Sequence, residues 1–283
     1  MKCERTELTI THRCTLKCKL CGAYSPYYSN PKPHWSLSQL KLYTDKYFEI
    51  VDYVEKMTIS GGEPLLHPDL GKLVEYLCTY GDRIGLLEFI TNGTMIPKTD
   101  VIYAMQKFVK VKVIIDNYGP ELSTKVPQIE KILDSYGIYY ETRKYYGNNA
   151  YYDGWIDMSN VSKRTRDDAE TNEIYNNCIF SKKFQRYLLV EGKLYLCATA
   201  RRCDSLNLLT EDNDYINLLD DDLSLEQKKR KIESFLTESI LKPVCIVMDL
   251  MINIKDTLRR NRLNSLMMVT NNEEKSTDIC AGV

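Results

Sequence analysis

Thr11-His12-Arg13-Cys14-Thr15-Leu16-Lys17-Cys18-Lys19-Leu20-Cys21 sets three cysteines in the spacing C-x-x-x-C-x-x-C. The number three carries the information. A structural zinc site closes its shell with four protein ligands. Three thiolates from one loop hold three irons of a [4Fe–4S] cube and leave the fourth iron open to another ligand. Upstream, Glu7-Leu8-Thr9-Ile10-Thr11 alternates and is β-branched, which predicts a short strand feeding the loop. Downstream, Met57-Thr58-Ile59-Ser60 predicts a second strand that stops at Gly61-Gly62-Glu63-Pro64. The two glycines allow positive φ and close approach of the backbone to a ligand, while Glu63 supports the turn and Pro64 stiffens it.

The remaining pattern alternates strand and helix. Ser36-Leu37-Ser38-Gln39 is a capping box that opens a helix through Leu40, Tyr43, Tyr47 and Ile50. Leu70, Leu73, Val74 and Leu77 have helical spacing behind Pro68. Residues 86–90 predict a strand closing on Thr91-Asn92-Gly93, residues 101–109 a helix, and residues 111–115 a strand ending at Asp116. A helix around Ile129, Ile132 and Leu133 and a strand over 138–142 follow. Repeated β–α units argue for a parallel sheet with helical crossovers. The expected fold class is α/β, a partial (β/α)6 barrel of TIM type, whose ligands gather at the C-terminal ends of the strands.

The cysteine loop after the first strand and the GGEP turn after the second resemble the radical SAM superfamily, whose signature is C-x-x-x-C-x-Φ-C with a GGEP-type turn. The Φ position is Leu20, apolar where the family favours an aromatic residue. The resemblance implies an enzyme in which Cys14, Cys18 and Cys21 hold a [4Fe–4S] cluster and S-adenosylmethionine chelates the open iron. One electron then splits the sulfonium to methionine and a 5′-deoxyadenosyl radical, which takes hydrogen from a small-molecule or peptide substrate. It also implies cofactor contacts from Leu20, Gly61, Gly62, Glu63 and Pro64, with Asn92 and Asp116 carried over from polar strand-end positions. Asn92 reads equally as part of an Asn-Gly turn, and Asp116 as a strand-end carboxylate.

A second cysteine set begins at Cys178 and runs C-x13-G-x4-C to Cys197, around a hairpin of residues 186–190 and 193–196 with its turn at Glu191-Gly192. Ser224-Leu225-Glu226-Gln227 caps a further helix, and Cys245 follows it. The arrangement resembles the SPASM/twitch extension, a C-terminal hairpin and helix that hold an auxiliary cluster. By that resemblance Cys178, Cys197 and Cys245 are ligands. Met248 stands where a second cysteine of the closing pair belongs, and Cys203 is a candidate substitute. The tail departs from the family. Codons for Cys245 to Asn264 can be read one base out of register to give Tyr-Cys-Asn-Gly and later Arg-Tyr-Ile-Thr-Pro-Glu-Gln, so a frameshifted tail is expected. The expected division is a core over residues 1–145, reaching to about 195, a linker or lid over 146–177, an auxiliary-cluster region over 178–250, and an atypical tail over 251–283.

The chain has 283 residues, 43% of them hydrophobic, with a net charge of −1 and ten cysteines. Charges are evenly mixed, so no basic stripe argues for nucleic acid. No apolar run nears the roughly eighteen residues of a membrane span. The start lacks a signal-peptide pattern, which places the expected protein in the cytoplasm and its cysteines in metal chemistry rather than disulfides. The expected partners are the substrate and a reductase such as flavodoxin or ferredoxin, with no nucleic acid and no membrane. The reaction expected is an oxidoreductase or maturase step. Two alternatives stay open: a non-catalytic zinc-binding module, and a decayed radical SAM protein without a complete auxiliary cluster.

Overall fold

The first strand, β1 (Lys2–Thr9), has parallel neighbours on both sides in the computed structural model. The structure describes residues 1–18, 21–108, 110–147, 167–177, 186–208, 215–237 and 268–270. After β1 come the short β2 (Leu16–Cys18) in the cysteine loop, α1 (Leu37–Ile50), β3 (Tyr53–Ser60), α2 (Leu70–Leu77), β4 (Ile84–Thr91), α3 (Thr99–Lys107), β5 (Val111–Asn117), α4 (Val126–Ser135) and β6 (Tyr140–Lys144). Then follow α5 (Asp168–Asn176), β7 (Arg186–Val190), β8 (Lys193–Tyr195), α6 (Ala198–Ser205), β9 (Tyr215–Asn217), α7 (Leu225–Thr237) and β10 (Met268–Thr270). The main sheet runs β6-β5-β4-β3-β1-β7-β8-β9, and β10 pairs antiparallel with β2.

The six strands from β6 to β7 are mutually parallel. Each strand from β3 to β6 is laid beside its predecessor, so same-handed crossovers put the helices on one face and the sheet curls around the other. The helix-side face is apolar: Leu8, Met57, Ile59, Leu87, Phe89, Val113 and Ile115 are all buried. Helix α1 is capped as its sequence predicts, with Ser36 N–H donating to Gln39 Oε1 at 2.9 Å and Gln39 N–H to Ser36 Oγ at 3.3 Å. Ser224 and Gln227 make the same reciprocal pair before α7, at 2.8 and 3.2 Å.

Several boundaries differ from expectation. Strands β1 and β3 begin four or more residues early. Their added residues include Arg5 and Lys56, charged groups that a pattern search excludes from strands but that find carboxylate partners across the sheet. The hairpin over 186–195 belongs to the main sheet, since β7 pairs with β1 from Arg5↔Arg186 to Leu8↔Leu189. Its two-residue turn has φ 56° at Glu191 and 71° at Gly192, the pairing that matches strand twist in a tight hairpin. Two helices lie where none is expected: α5 within the linker span, and α6 over a stretch that reads as polar.

On the helix side the Thr6 hydroxyl meets the Tyr47 hydroxyl at 2.7 Å, both fully buried. Tyr47→Phe strands that threonine group. Chemical denaturation is expected to show a loss of about 1–2 kcal/mol.

Candidate functional site

At the C-terminal edge the ladder between β1 and β3 runs past both strands. Ile10 N–H donates to Ser60 O at 3.0 Å, Gly62 N–H to Thr11 O at 2.8 Å, and Glu63 N–H to Arg13 O at 2.9 Å. The glycines make this approach possible. A Cβ on Gly61, whose φ is +153°, would stand 2.1 Å from Thr11 O, and one on Gly62 would stand 2.2 Å from Arg13 O. Their closest neighbours are therefore backbone of the cysteine loop, so the turn seats Cys14 directly. Pro64 opens a single 3₁₀ turn over Pro64–Leu66.

Glu63 is fully buried and clasps the next strand end. Its carboxylate accepts from Leu65 N–H at 3.1 Å, Thr91 Oγ1 at 2.9 Å and Asn92 N–H at 2.8 Å. Burial pushes its pKa up to about 7, against the pull of those three donors. Asn92 in turn reaches the loop: its Nδ2 donates to Thr15 Oγ1 at 3.0 Å and to Cys14 Sγ at 3.5 Å. The resemblance carries Asn92 over as a cofactor contact and the residues read it equally as part of an Asn-Gly turn; the structure shows its amide bonded to the loop.

The three thiols face one another closely enough that each pair of charges would repel, Cys14 with Cys21 and Cys18 with both. Burial is the main cause of their raised pKa values, with Cys14 pushed up to about 12 and Cys18 and Cys21 also raised. N–H donors oppose it. Leu16 N–H reaches Cys14 Sγ at 3.4 Å, and the backbone of Ala23, Tyr24 and Ser25 bonds the Cys21 thiol. Tyr24 takes a left-handed φ of 55° to turn those groups inward. This donor set fits thiolates that carry a positively charged group. Among the described residues no trio of Cys, His, Asp or Glu is drawn around one point tightly enough for a single metal ion. The corners of an iron–sulfur cube ask for wider spacing than that. Leu20 lies outside the described residues.

Asp116, at the end of β5, is buried and paired with Arg143 of β6, Nε at 2.7 Å and Nη2 at 2.6 Å. Burial lifts its carboxyl to about 6 despite that partner, and its charge is felt at Cys18. Tyr118 stacks on Tyr145 at 5.2 Å beside the same group. The curved-in face of the sheet below is charged. Arg5 donates to Glu88 at 2.9 Å, Thr58 donates to it at 3.2 Å, and Lys56 Nζ lies 3.6 Å from it. Glu7 takes Ser60 and Arg186. Sequence reasoning passed over Arg5, Glu7, Glu88, Arg143 and Arg186; Arg5 and Glu7 alternate along β1, whereas Glu88 and Arg186 are single charges in apolar strands and Arg143 sits in the polar β6.

The second cysteine set is split. Cys178 and Cys245 lie outside the described residues. Cys197 is half-buried at the N-cap of α6, and Cys203 is fully buried within that helix. Their charges are both felt at Tyr24, whose hydroxyl meets Thr199 Oγ1 at 3.1 Å. Helix α6 thus rests on the segment that follows Cys21. Tyr28 there stacks on His12 at 4.1 Å and lies under Arg201 at 5.3 Å. Among the described residues no helix is long and apolar enough to cross a membrane.

Residues 8–145 match the radical SAM superfamily. The chain is 27% identical over 136 residues to a GTP 3′,8-cyclase of Aliarcobacter butzleri, covering 47% of this chain and 42% of that protein. It is 31% identical over 110 residues to the antilisterial bacteriocin subtilosin biosynthesis protein AlbA of Bacillus subtilis, covering 38% of this chain and 22% of that one. The chain thus spans less than half the length of these curated relatives. The crystal structure of BtrN in complex with AdoMet and 2-DOIA shares the fold at a TM-score of 0.54 and 12% identity, covering 89% of this chain and 93% of that one.

Glu63 makes the site's contribution to stability depend on pH. An acid raised from 4.5 to about 7 on folding contributes stability that is full below 4.5 and is lost as pH rises through 7. Denaturant midpoints are expected to fall across that window. Glu63→Gln cannot ionise and is expected to remove this part of the slope; equal slopes in the two proteins would refute it.

Proposed function

The chain belongs to the radical SAM superfamily, and from that premise we propose that it is an enzyme in which Cys14, Cys18 and Cys21 hold a [4Fe–4S] cluster beside bound S-adenosylmethionine. One observation carries the reading: three half-buried thiols converge at the barrel's C-terminal mouth among N–H donors that favour thiolates. Together the cluster and S-adenosylmethionine supply reductive cleavage of a carbon–sulfur bond, giving methionine and a 5′-deoxyadenosyl radical. The protein's part is position and dryness. Gly61 and Gly62 bring the turn against the loop, Glu63 pins that turn to the end of β4, and Pro64 opens the 3₁₀ turn behind it. Leu20 is proposed as a cofactor contact because it holds the Φ position of the resembled motif.

The substrate occupies the curved-in face below. Its partly exposed groups are Arg5, Lys56 and Arg186, backed by the buried Glu7, Thr58, Ser60 and Glu88. Such a wall offers hydrogen bonds and little apolar area, which favours a small polar molecule or a polar segment of a peptide. The relatives' names include both a GTP cyclase and a bacteriocin biosynthesis protein. Asp116, held by Arg143, is the group proposed to reach the cofactor from the fourth strand-end position. An auxiliary cluster is proposed on Cys178, Cys197 and Cys245, with Cys203 as the further thiol beside Cys197. The electron donor is a cytoplasmic flavodoxin or ferredoxin, and neither nucleic acid nor membrane takes part.

Anaerobic reconstitution with iron and sulfide tests the reading. Wild-type protein is expected to turn brown and release 5′-deoxyadenosine with dithionite, and Cys18→Ala to lose both the loop's iron and the release. Retained release in Cys18→Ala would refute the cluster assignment, and a colourless zinc protein would point to the non-catalytic module.

A further inference from the structure

We propose that Asn92 is a positioning residue for Cys14 and that its amide sets the reduction potential of the cluster held by the three-cysteine loop. The inference rests on the functional reading above and deepens it. It gives Asn92 a role different from the cofactor contact that the resemblance implies.

The orientation of the amide is decided by its other end. Thr94 N–H lies 3.1 Å from Asn92 Oδ1, and a peptide N–H only donates. The oxygen must therefore face Thr94, which leaves the NH₂ group toward the loop. Thr94 Oγ1 donates to the same oxygen at 2.7 Å. The Nδ2 then spends its two hydrogens on Thr15 Oγ1 at 3.0 Å and Cys14 Sγ at 3.5 Å. The main chain is equally engaged: Asn92 N–H donates to Glu63 Oε2 at 2.8 Å, and Ser123 Oγ donates to Asn92 O at 2.7 Å. Every polar atom of the residue has a protein partner, so the side chain is locked in place with one N–H aimed at a sulfur.

That aim has a redox consequence. Reducing the cluster adds negative charge that spreads onto its thiolate ligands. A fixed N–H dipole pointing at a ligand sulfur stabilises the reduced form more than the oxidised one and raises the potential. Cys14 receives this from Leu16 N–H and from the Asn92 amide, the second being a side chain that substitution can remove.

The test is an anaerobic redox titration of the reconstituted protein without S-adenosylmethionine, followed by electron paramagnetic resonance. Asn92→Leu keeps the bulk and removes the donor. Its ratio of reduced to oxidised cluster at a fixed potential is expected to fall about tenfold, a midpoint about 59 mV lower for one electron. Thr15→Val disturbs the same hydrogen-bonded group but leaves the amide on the sulfur, and is expected not to lower the midpoint. If Asn92→Leu loads no iron, Asn92→Asp at alkaline pH carries the measurement. It keeps the oxygen that faces Thr94, sets an anion toward the sulfur, and is expected to lower the midpoint. A loaded variant with the wild-type midpoint overturns the inference, as does an equal fall in Thr15→Val, which would mark general loosening of the loop. A wild-type protein with no iron–sulfur signal overturns the functional reading beneath it, a distinguishable result.

Discussion

Two backbone hydrogen bonds beyond the ends of their strands, Gly62 N–H to Thr11 O and Glu63 N–H to Arg13 O, govern the arrangement of the whole site. They continue the pairing of β1 and β3 into what would otherwise be two unrelated loops. Strand spacing in a parallel sheet is rigid, so the cysteine loop inherits the sheet's precision up to the residue before Cys14. The continuation tolerates no side chain at either glycine, because the Cβ positions overlap carbonyl oxygens of the facing chain. Glu63 then passes the same order sideways to β4 through Thr91 and Asn92. From there one amide returns to the loop. The path closes on itself from the loop to the turn, to the third strand of the barrel, and back to Cys14.

The curved-in face obeys a second constraint, that a charge taken out of water needs a partner. Glu88 is almost wholly buried and gathers Arg5, Thr58 and Lys56; Asp116 takes Arg143. Cations and carboxylates on neighbouring or next-but-one strands thus neutralise each other across the sheet. The cations of these pairs keep part of their side chains exposed, while the carboxylates lie buried beneath them.

Much of this was legible in the sequence, and the illegible parts share a cause. Strand cores, both capping boxes and the Glu191-Gly192 turn depend on neighbours in the chain, and local pattern located them. The N-terminal halves of β1 and β3 depend on partners far along the chain, such as Glu88 for Arg5, and pattern could not supply those. Helix α6 escaped for the same reason. Arg201 is buried because it pairs with Glu191 and lies over Tyr28 and Tyr195, and Asp204 is held by Lys193 and Tyr195. A stretch that reads as surface is therefore packed onto the barrel. At the site, the strand-end positions of Asn92 and Asp116 were legible, whereas the inward commitment of the Asn92 amide follows from Thr94 and Thr15, which carry no pattern of their own.

Protein hydrogen bonds give cysteines of the loop fixed places, the part that the ion plays in a metal-folded module. In a zinc finger the ligands have no fixed places until the ion arrives, so binding and folding are one event. Here the ladder, the Glu63 clasp and the Asn92 amide position Cys14, and the inward-turned N–H groups of residues 23–25 position Cys21. Burial raises the pKa values of the loop's thiols, which favours their protonated form, and a cationic group entering among thiols displaces protons as it binds. The donors already aimed at the sulfurs reduce what that displacement costs, because they meet the thiolates as soon as these form.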